Sequence, residues 1–245
     1  MIISVINLTG GRVRESEVRR AVRAVNLQIK HDFEPHWGFG ATLRLAPRVR
    51  SKSKKRRFPE IQDEAFLYLS DKIDLGDAEG YHDLNNRGIP HGFVATDLKV
   101  DADWTITLSH EALELTGDPL FNLLVEGPNP KDHRFQVFHW FEMCDAVQEE
   151  KYSIDHVELS NFVLPLYFTA GNERGGRNDF LGTLNRGRSL RSFYVNPGGY
   201  IGFYDTRLGR HRDWSPKGEP KAKARLAIKH AMGSGRGSRR RARNK

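Results

Sequence analysis

His110 and Glu114 lie four residues apart in a segment that reads His-Glu-Ala-Leu-Glu. Four residues make slightly more than one helical turn, so both side chains would reach the same metal ion from one helix face. Glu111 directly follows the first ligand position, where a glutamate can take a proton from water at the metal. The spacing predicts a site for one zinc ion, with His110 and Glu114 as ligands and Glu111 as the general base of a hydrolase.

The second ligand position departs from the usual pattern, because it holds Glu114 where histidine is common. A carboxylate binds zinc at about the same distance as an imidazole, but it lowers the net positive charge of the site by one. Weaker catalysis or a different metal is compatible with such a site. The bare motif also occurs on ordinary surface helices, so its surroundings must support the assignment.

The sequence around the motif predicts a helix that packs against the protein core. The apolar spacing predicts a helix over residues 103–115, which Asp101 or Asp103 can cap and the segment 117–119 (Gly-Asp-Pro) ends. The helix face opposite the motif is apolar, through Trp104, Leu108 and Leu115. The motif would then face a cleft.

Strand and helix signals elsewhere predict an α+β protein. Apolar positions at helical spacing predict a second helix over residues 15–33. Short apolar or alternating segments predict strands at residues 1–8, 41–47, 66–69, 80–83, 92–95, 135–141 and 157–166. Residues 193–195 and 200–204 flank an Asn-Pro-Gly-Gly turn, which predicts a hairpin.

Composition points to a soluble protein of a reducing compartment. The 245 residues are 38% hydrophobic and 29% charged, and Cys144 is the single cysteine, which excludes an intrachain disulfide. No stretch approaches the roughly 20 apolar residues of a membrane helix, and the N-terminus lacks the basic region of a signal peptide. We therefore expect a cytoplasmic protein with no membrane association.

The positive charge of the chain is concentrated in its C-terminal tail. Residues 216–245 hold 11 of the 39 Lys and Arg residues and one acid, which leaves 28 basic and 30 acidic residues in residues 1–215. The tail has too few apolar residues to fold alone and is predicted to be disordered. A second basic run at residues 48–57 is either a solvated loop or a phosphate-binding patch. Both segments are candidates for non-specific nucleic-acid binding.

The segment 108–119, Leu-Ser-His-Glu-Ala-Leu-Glu-Leu-Thr-Gly-Asp-Pro, resembles a family of bacterial and phage zincin-like metallopeptidases. The resemblance continues, in order, at residues 80–83, 89–94, 141–149, 159–165 and 198–200. It covers most of residues 1–205 and excludes the tail. This chain has Ala146 where the family often has proline.

The resemblance implies a zincin-like α+β fold in residues 1–215, with a twisted mixed sheet packed on the motif helix. An edge strand near residues 80–83 or 92–95 would lie above the cleft and pair with an extended peptide substrate. The implied activity is zinc-dependent cleavage of a peptide or protein. The implied location is the cytoplasm, or the host cytoplasm or virion if a phage encodes the chain.

The third metal ligand must come from outside the motif. Within the matched block 141–149, Glu142 and Asp145 are the leading candidates, and zincins often take a third glutamate from beyond the motif helix. We favour Glu142 as the ligand and Asp145 as a residue that orients a ligand. Asp118, four residues after Glu114, either binds the metal as well, ends the helix or orients a ligand. His139 and Cys144 rank lower, because strand alternation separates His139 from Glu142 and cysteines are often simply buried.

Three other residues and two other functions stay open. Tyr81, His82 and His91 either contact a substrate or are ordinary core and surface residues. The chain is alternatively a non-catalytic, zincin-like structural or interaction protein of a phage or bacterium whose basic tail binds nucleic acid. In the second alternative the chain is a nucleic-acid-binding protein, and the helix motif is accidental.

Overall fold

The computed structural model describes residues 1–47, 64–71, 79–85, 87–97, 104–169 and 176–217. The basic run at 48–57, the capping candidates Asp101 and Asp103, and the tail after residue 217 lie outside the described residues. Contacts group the described residues into two compact units. The first unit holds residues 1–47, 64–71, 79–85, 87–97, 104–119 and 153–159, and the second holds residues 120–152, 160–169 and 176–217.

The first unit is built on a mixed five-stranded sheet in the order β2-β1-β3-β5-β4. Its strands are β1 (Ile2–Asn7), β2 (Thr42–Leu45), β3 (Ala65–Ser70), β4 (Gly80–Leu84) and β5 (Pro90–Ala95). All pairs are parallel except β4 with β5, which is antiparallel. The five strands predicted for this part of the chain are confirmed, and β4 is an edge strand.

The N-terminal helix of the first unit starts as predicted and changes its geometry midway. Helix α1 (Glu15–Leu27) continues through a π-helical segment (Gln28–Phe33) into the short helix α2 (Glu34–Trp37). The apolar side of α1 is buried, with Val18, Ala21, Val22 and Val25 in the core. This segment covers the predicted helix at residues 15–33, and α1 packs against β1 and β2.

Helix α3 (Trp104–Gly117) carries the motif and is buried along most of its length. It packs against β3, β4 and β5, and Leu108 and Leu115 are fully buried, as the apolar face predicted. The predicted end of the helix is confirmed. The Asp118 amide donates to the Glu114 carbonyl 2.9 Å away, and Pro119, which has no amide hydrogen, follows.

The second unit contains a four-stranded antiparallel sheet in the order β11-β10-β7-β6. Its strands are β6 (Leu124–Asn129), β7 (Asp132–Trp140), β10 (Ile201–Asp205) and β11 (Arg210–Trp214). The strands β8 (Lys151–Ile154) and β9 (Val157–Ser160) form a separate two-stranded sheet. None of the helices in the described part of the chain is long and apolar enough to cross a membrane.

Two secondary-structure predictions for the later part of the chain are wrong. The strand predicted at 157–166 ends at Ser160, and a 3-10 helix begins at Pro165. The hairpin predicted between 193–195 and 200–204 does not form, because β10 pairs with β11 and β7. Phe193 adopts a positive φ of 55°, which an extended strand does not accommodate.

Segments of the second unit that are distant in sequence meet near the 3-10 helix Asp145–Val147. The Asn196 amide donates to the Ala146 carbonyl over 3.0 Å, and the Tyr200 amide donates to the Asp145 carbonyl over 3.1 Å. Asn161 is fully buried and links this region to Glu150 and Asp179. Its Nδ2 donates to Glu150 Oε2 (2.6 Å) and Asp179 Oδ1 (3.0 Å). Blocks that are distant in sequence thus share one hydrogen-bonded region.

Replacing Asn161 with alanine should destabilise the second unit by roughly 3 kcal/mol, because the buried Asp179 carboxylate, the half-buried Glu150 carboxylate and two backbone amides lose a partner. The Asn161 side-chain oxygen also accepts from the amides of Phe162 (2.8 Å) and Leu181 (3.2 Å). Urea unfolding monitored by fluorescence measures the loss. The matched control is Asn185→Ala, which removes only a 3.5 Å contact with Glu150. Equal stability of the two variants would contradict the role of Asn161.

Candidate metal centre

Helix α3 brings the motif residues to one region of the first unit. His110 Nε2 lies 3.3 Å from Glu114 Oε1, so these side chains share a helix face, as the four-residue spacing predicted. Glu111 and Glu114 are 5% and 3% exposed, and His110 is partly exposed. The motif therefore places two carboxylates in the interior, with an imidazole between the interior and the surface.

Strand β4 adds His82, a residue that sequence reasoning did not assign to the metal. His82 Nδ1 lies 2.6 Å from Glu111 Oε2 and 3.4 Å from Glu114 Oε2. Its side chain is 8% exposed. The available signal was a histidine inside the matched block 80–83, on a segment predicted to be an edge strand.

Gly80 allows β4 to approach α3 closely beside Glu111. A Cβ atom at Gly80 would lie 2.5 Å from Thr107 Cγ2 and 2.7 Å from Glu111 Oε1, both too close for real side chains. Residues two apart on a strand point to the same face, so Gly80 and His82 both face the helix. A glycine two residues before His82 is what lets that histidine reach the carboxylates.

The charges of this cluster favour a cation. Glu111 and Glu114 are buried carboxylates, and buried charges are stable only when they are paired or bind metal. Imidazoles and carboxylates are the zinc ligands of hydrolases. Two atoms bound to one tetrahedral zinc ion at about 2.0–2.1 Å are roughly 3.4 Å apart. The His82–Glu114 and His110–Glu114 distances of 3.4 and 3.3 Å are close to this value and involve different oxygens of Glu114. Each histidine, together with Glu114, could therefore contribute to a metal site.

The other ligands considered from the sequence are Asp118, Glu142, Asp145 and Cys144. Asp118 is buried just beyond the end of α3. Glu142 and Asp145 belong to the second unit, and their assignment as third ligand or orienting residue stays a prediction. Cys144 is also in the second unit and is fully buried.

Tyr81 and His91 take part in an aromatic cluster of the sheet. Tyr81 stacks on Phe93 with ring centroids 5.2 Å apart, and the His91 ring lies 5.7 Å from that of Phe93. Tyr81 follows Gly80 and precedes His82, so strand alternation directs it to the opposite sheet face. Of the three residues considered as substrate contacts, His82 contacts the motif, at Glu111 and Glu114 as described above.

His139 is a core residue of the second unit. Its Nε2–H donates to the Pro128 carbonyl over 2.9 Å, and its ring lies 4.7 Å from that of Phe193 and 5.8 Å from that of Phe203. Burial lowers the pKa of His139 from 6.5 to about 4, and the Pro128 carbonyl only partly opposes this shift. The low rank of His139 as a metal ligand agrees with this packing.

The second unit should lose stability in acid because of His139. Between pH 6.5 and about 4 the unfolded chain protonates His139 and the folded chain does not. Its contribution is complete above pH 6.5 and is lost as the pH falls toward 4, with a total of roughly 3 kcal/mol. Urea unfolding at pH 7 and 4.5 should show a loss that is roughly 2 kcal/mol smaller in His139→Gln.

The matched control for this experiment is His133→Gln, which changes an exposed histidine of the same strand. This variant should keep the pH dependence of the parent protein. An unchanged pH dependence in His139→Gln would show that another group causes the acid sensitivity.

Comparison of the chain with protein-family models, with curated proteins and with solved structures finds no match. Membership of the zincin-like metallopeptidases therefore stays a prediction from the sequence blocks.

Proposed function

We propose that the chain is a zinc-dependent hydrolase of the metallopeptidase type. The observation that carries this proposal is the buried cluster in which His82 and His110 each approach one oxygen of Glu114, with Glu111 beside them. Buried carboxylates and imidazoles that lie close together are typical of functional sites. A purely structural helix has little reason to bury two glutamates side by side with histidines.

The motif residues of α3 have two roles, to bind the ion and to transfer a proton. His110 and Glu114 hold the ion, and Glu111 is the general base. Zinc, when bound, polarises the substrate carbonyl and activates water for attack. Glu111 accepts the proton of the attacking water at its carboxylate and delivers it to the leaving amine. Burial of Glu111 keeps bulk water away from this proton transfer.

The fold of the first unit supports a zincin-like assignment. Helix α3 packs on a mixed sheet whose antiparallel edge strand, β4, runs beside the motif. An edge strand offers backbone amides and carbonyls to an extended chain. We therefore propose that a peptide substrate pairs with β4, which would bring its scissile carbonyl near Glu111.

The test incubates the full-length protein and zinc with a library of unfolded peptides as substrates. Metal analysis should find one zinc ion per chain, and mass spectrometry should find new peptide termini that disappear with a chelator. Loss of these termini in Glu111→Gln, with zinc still bound, assigns the cleavage to this site. A parent protein that binds no zinc, or binds zinc and cleaves nothing, would overturn the proposal.

A further inference from the structure

We infer that the first unit binds single-stranded nucleic acid on one face of its five-stranded sheet, where unpaired bases stack on aromatic side chains. This inference goes beyond the proposed hydrolase and does not depend on the zinc site. The surface, called the aromatic face below, consists of Phe66 and Tyr68 of β3, His91 and Phe93 of β5, and Tyr81 of β4.

The two faces of the sheet differ in their side chains and in their access to solvent. Helix α1 packs against β1 and β2, helix α3 packs against β3, β4 and β5, and the two helices contact each other. Both helices therefore cover one face, to which β3 contributes the fully buried Ala65, Leu67 and Leu69. Phe66 and Tyr68 alternate with these residues, so they point to the other face, and both are partly exposed.

The rings of the aromatic face form a row across three strands. Tyr68 pairs with Phe93, and Phe93 pairs with Tyr81. Their ring centroids are 4.9 and 5.2 Å apart, with planes inclined by 25° and 22°. Along β3, the Phe66 ring lies 6.4 Å from that of Tyr68 at 22°. Nearly parallel rings on neighbouring strands offer aromatic surfaces on a regular scaffold, and successive bases of a single strand can stack on such surfaces.

The type of apolar residue on each face supports a stacking role. The helix-covered face is aliphatic on β3, whereas the partly exposed face carries aromatic rings on three strands. Aromatic side chains also occur at protein interfaces, so the rings alone do not identify the partner. The partner must be identified by the charge of the segments that accompany this face.

Positive charge in the connection between two strands of this sheet favours nucleic acid. The described chain leaves the sheet at Pro47, after β2, and returns at Glu64, just before β3. The intervening sequence has seven Lys and Arg residues, all at 48–57, and with Glu64 included it has three acids, which gives a net charge of +4. Cations bind phosphates and aromatic rings stack on bases, and proteins that bind single strands combine both. A duplex keeps its bases stacked inside, so the aromatic face should discriminate in favour of single strands.

Anisotropy titrations of the full-length protein test this preference, with labelled single-stranded and duplex oligonucleotides of equal length. Tyr68→Ala and Phe93→Ala should each weaken single-strand binding by roughly 5- to 150-fold, the usual effect of losing one stacked base. Duplex affinity should stay unchanged. The salt dependence of single-strand binding should also stay unchanged, because neither side chain neutralises a phosphate. Tyr68→Phe keeps the ring and should bind like the parent.

Two further sets of variants separate stacking from stability. Tyr68→Leu and Phe93→Leu keep apolar bulk on the sheet but remove the ring, and they should also lose single-strand affinity. Circular dichroism checks that these variants are folded. The matched control is Phe138→Ala, which removes an exposed ring from a strand of the second unit and should keep both affinities.

Photocrosslinking to a single strand that carries 5-iodouracil tests the same surface in the unaltered protein. Mass spectrometry should find crosslinked peptides that contain β3 or β5. Crosslinks confined to the tail, or folded leucine variants with the single-strand affinity of the parent, would overturn the inference. A parent that is a dimer and becomes a monomer in Tyr68→Leu, with single-strand binding retained, would assign the aromatic face to a second copy of the chain instead.

Discussion

Replacing Glu111 with glutamine is expected to leave zinc bound and to slow hydrolysis by a factor of at least roughly 100. The amide has almost the same shape as the carboxylate, so the packing of α3 should be kept. It cannot accept a proton from water at neutral pH, and the base is therefore lost without loss of the site. Turnover of a peptide found in the library screen, measured at saturating zinc, gives the factor.

Glu114→Gln is the matched control for Glu111→Gln, because both residues are buried on the same helix and differ only in their assigned roles. We expect Glu114→Gln to lose zinc affinity, since an amide is a poor ligand compared with a carboxylate. The pair separates proton transfer from metal binding. Unchanged turnover in zinc-loaded Glu111→Gln would show that another residue is the base.

The fold of the first unit could be predicted because its sequence signals are local. Five short apolar segments and two helices with periodic apolar residues were each sufficient to predict their elements. The order of the strands could not be predicted in the same way. It depends on pairs such as Leu67 with Gly92, which lie 25 residues apart and become neighbours only when β3 and β5 pair.

His82 shows why part of the candidate site could not be predicted from the sequence. The helical period fixes the relation of His110 to Glu114, because the two lie within one turn. His82 is 29 residues from Glu111, and its role depends on which face of β4 meets α3. Strand alternation assigns the side chains of a strand to two faces, but it does not tell which of the two faces is buried. Gly80 is the one local sign, since a helix can approach a strand closely at a glycine.

The strands β6 and β11 were missed because their composition is unlike that of ordinary strands. Gly127 and Pro128 interrupt β6, and a register irregularity occurs between Pro128 and Asn129. Strand β11 reads Arg-His-Arg-Asp-Trp, with four polar residues in five. Both are edge strands of their sheet, where one side of the backbone needs no partner and proline or charge is tolerated.

Deleting residues 216–245 is expected to weaken binding to DNA and RNA by at least roughly 100-fold at low salt, because this segment holds 11 Lys and Arg residues and one acid. The body of the chain has nearly balanced charge, with 28 basic and 30 acidic residues. Binding by the parent should be indifferent to base sequence, since the tail offers charges and few groups that read bases. The melting temperature should stay nearly unchanged.

Fluorescence anisotropy with labelled single-stranded and double-stranded oligonucleotides, over a series of salt concentrations, measures this effect. The slope of log affinity against log salt becomes shallower by about 0.9 for each phosphate of double-stranded DNA that the protein ceases to neutralise. A full-length variant with the tail Lys and Arg residues changed to glutamine separates charge from chain length. It should behave like the truncated protein, and any remaining salt dependence in both would come from basic residues of the body, for which the run at 48–57 is the first candidate. Nucleic-acid binding by the truncated protein that equals the parent at the same salt would show that the tail is not the binding segment.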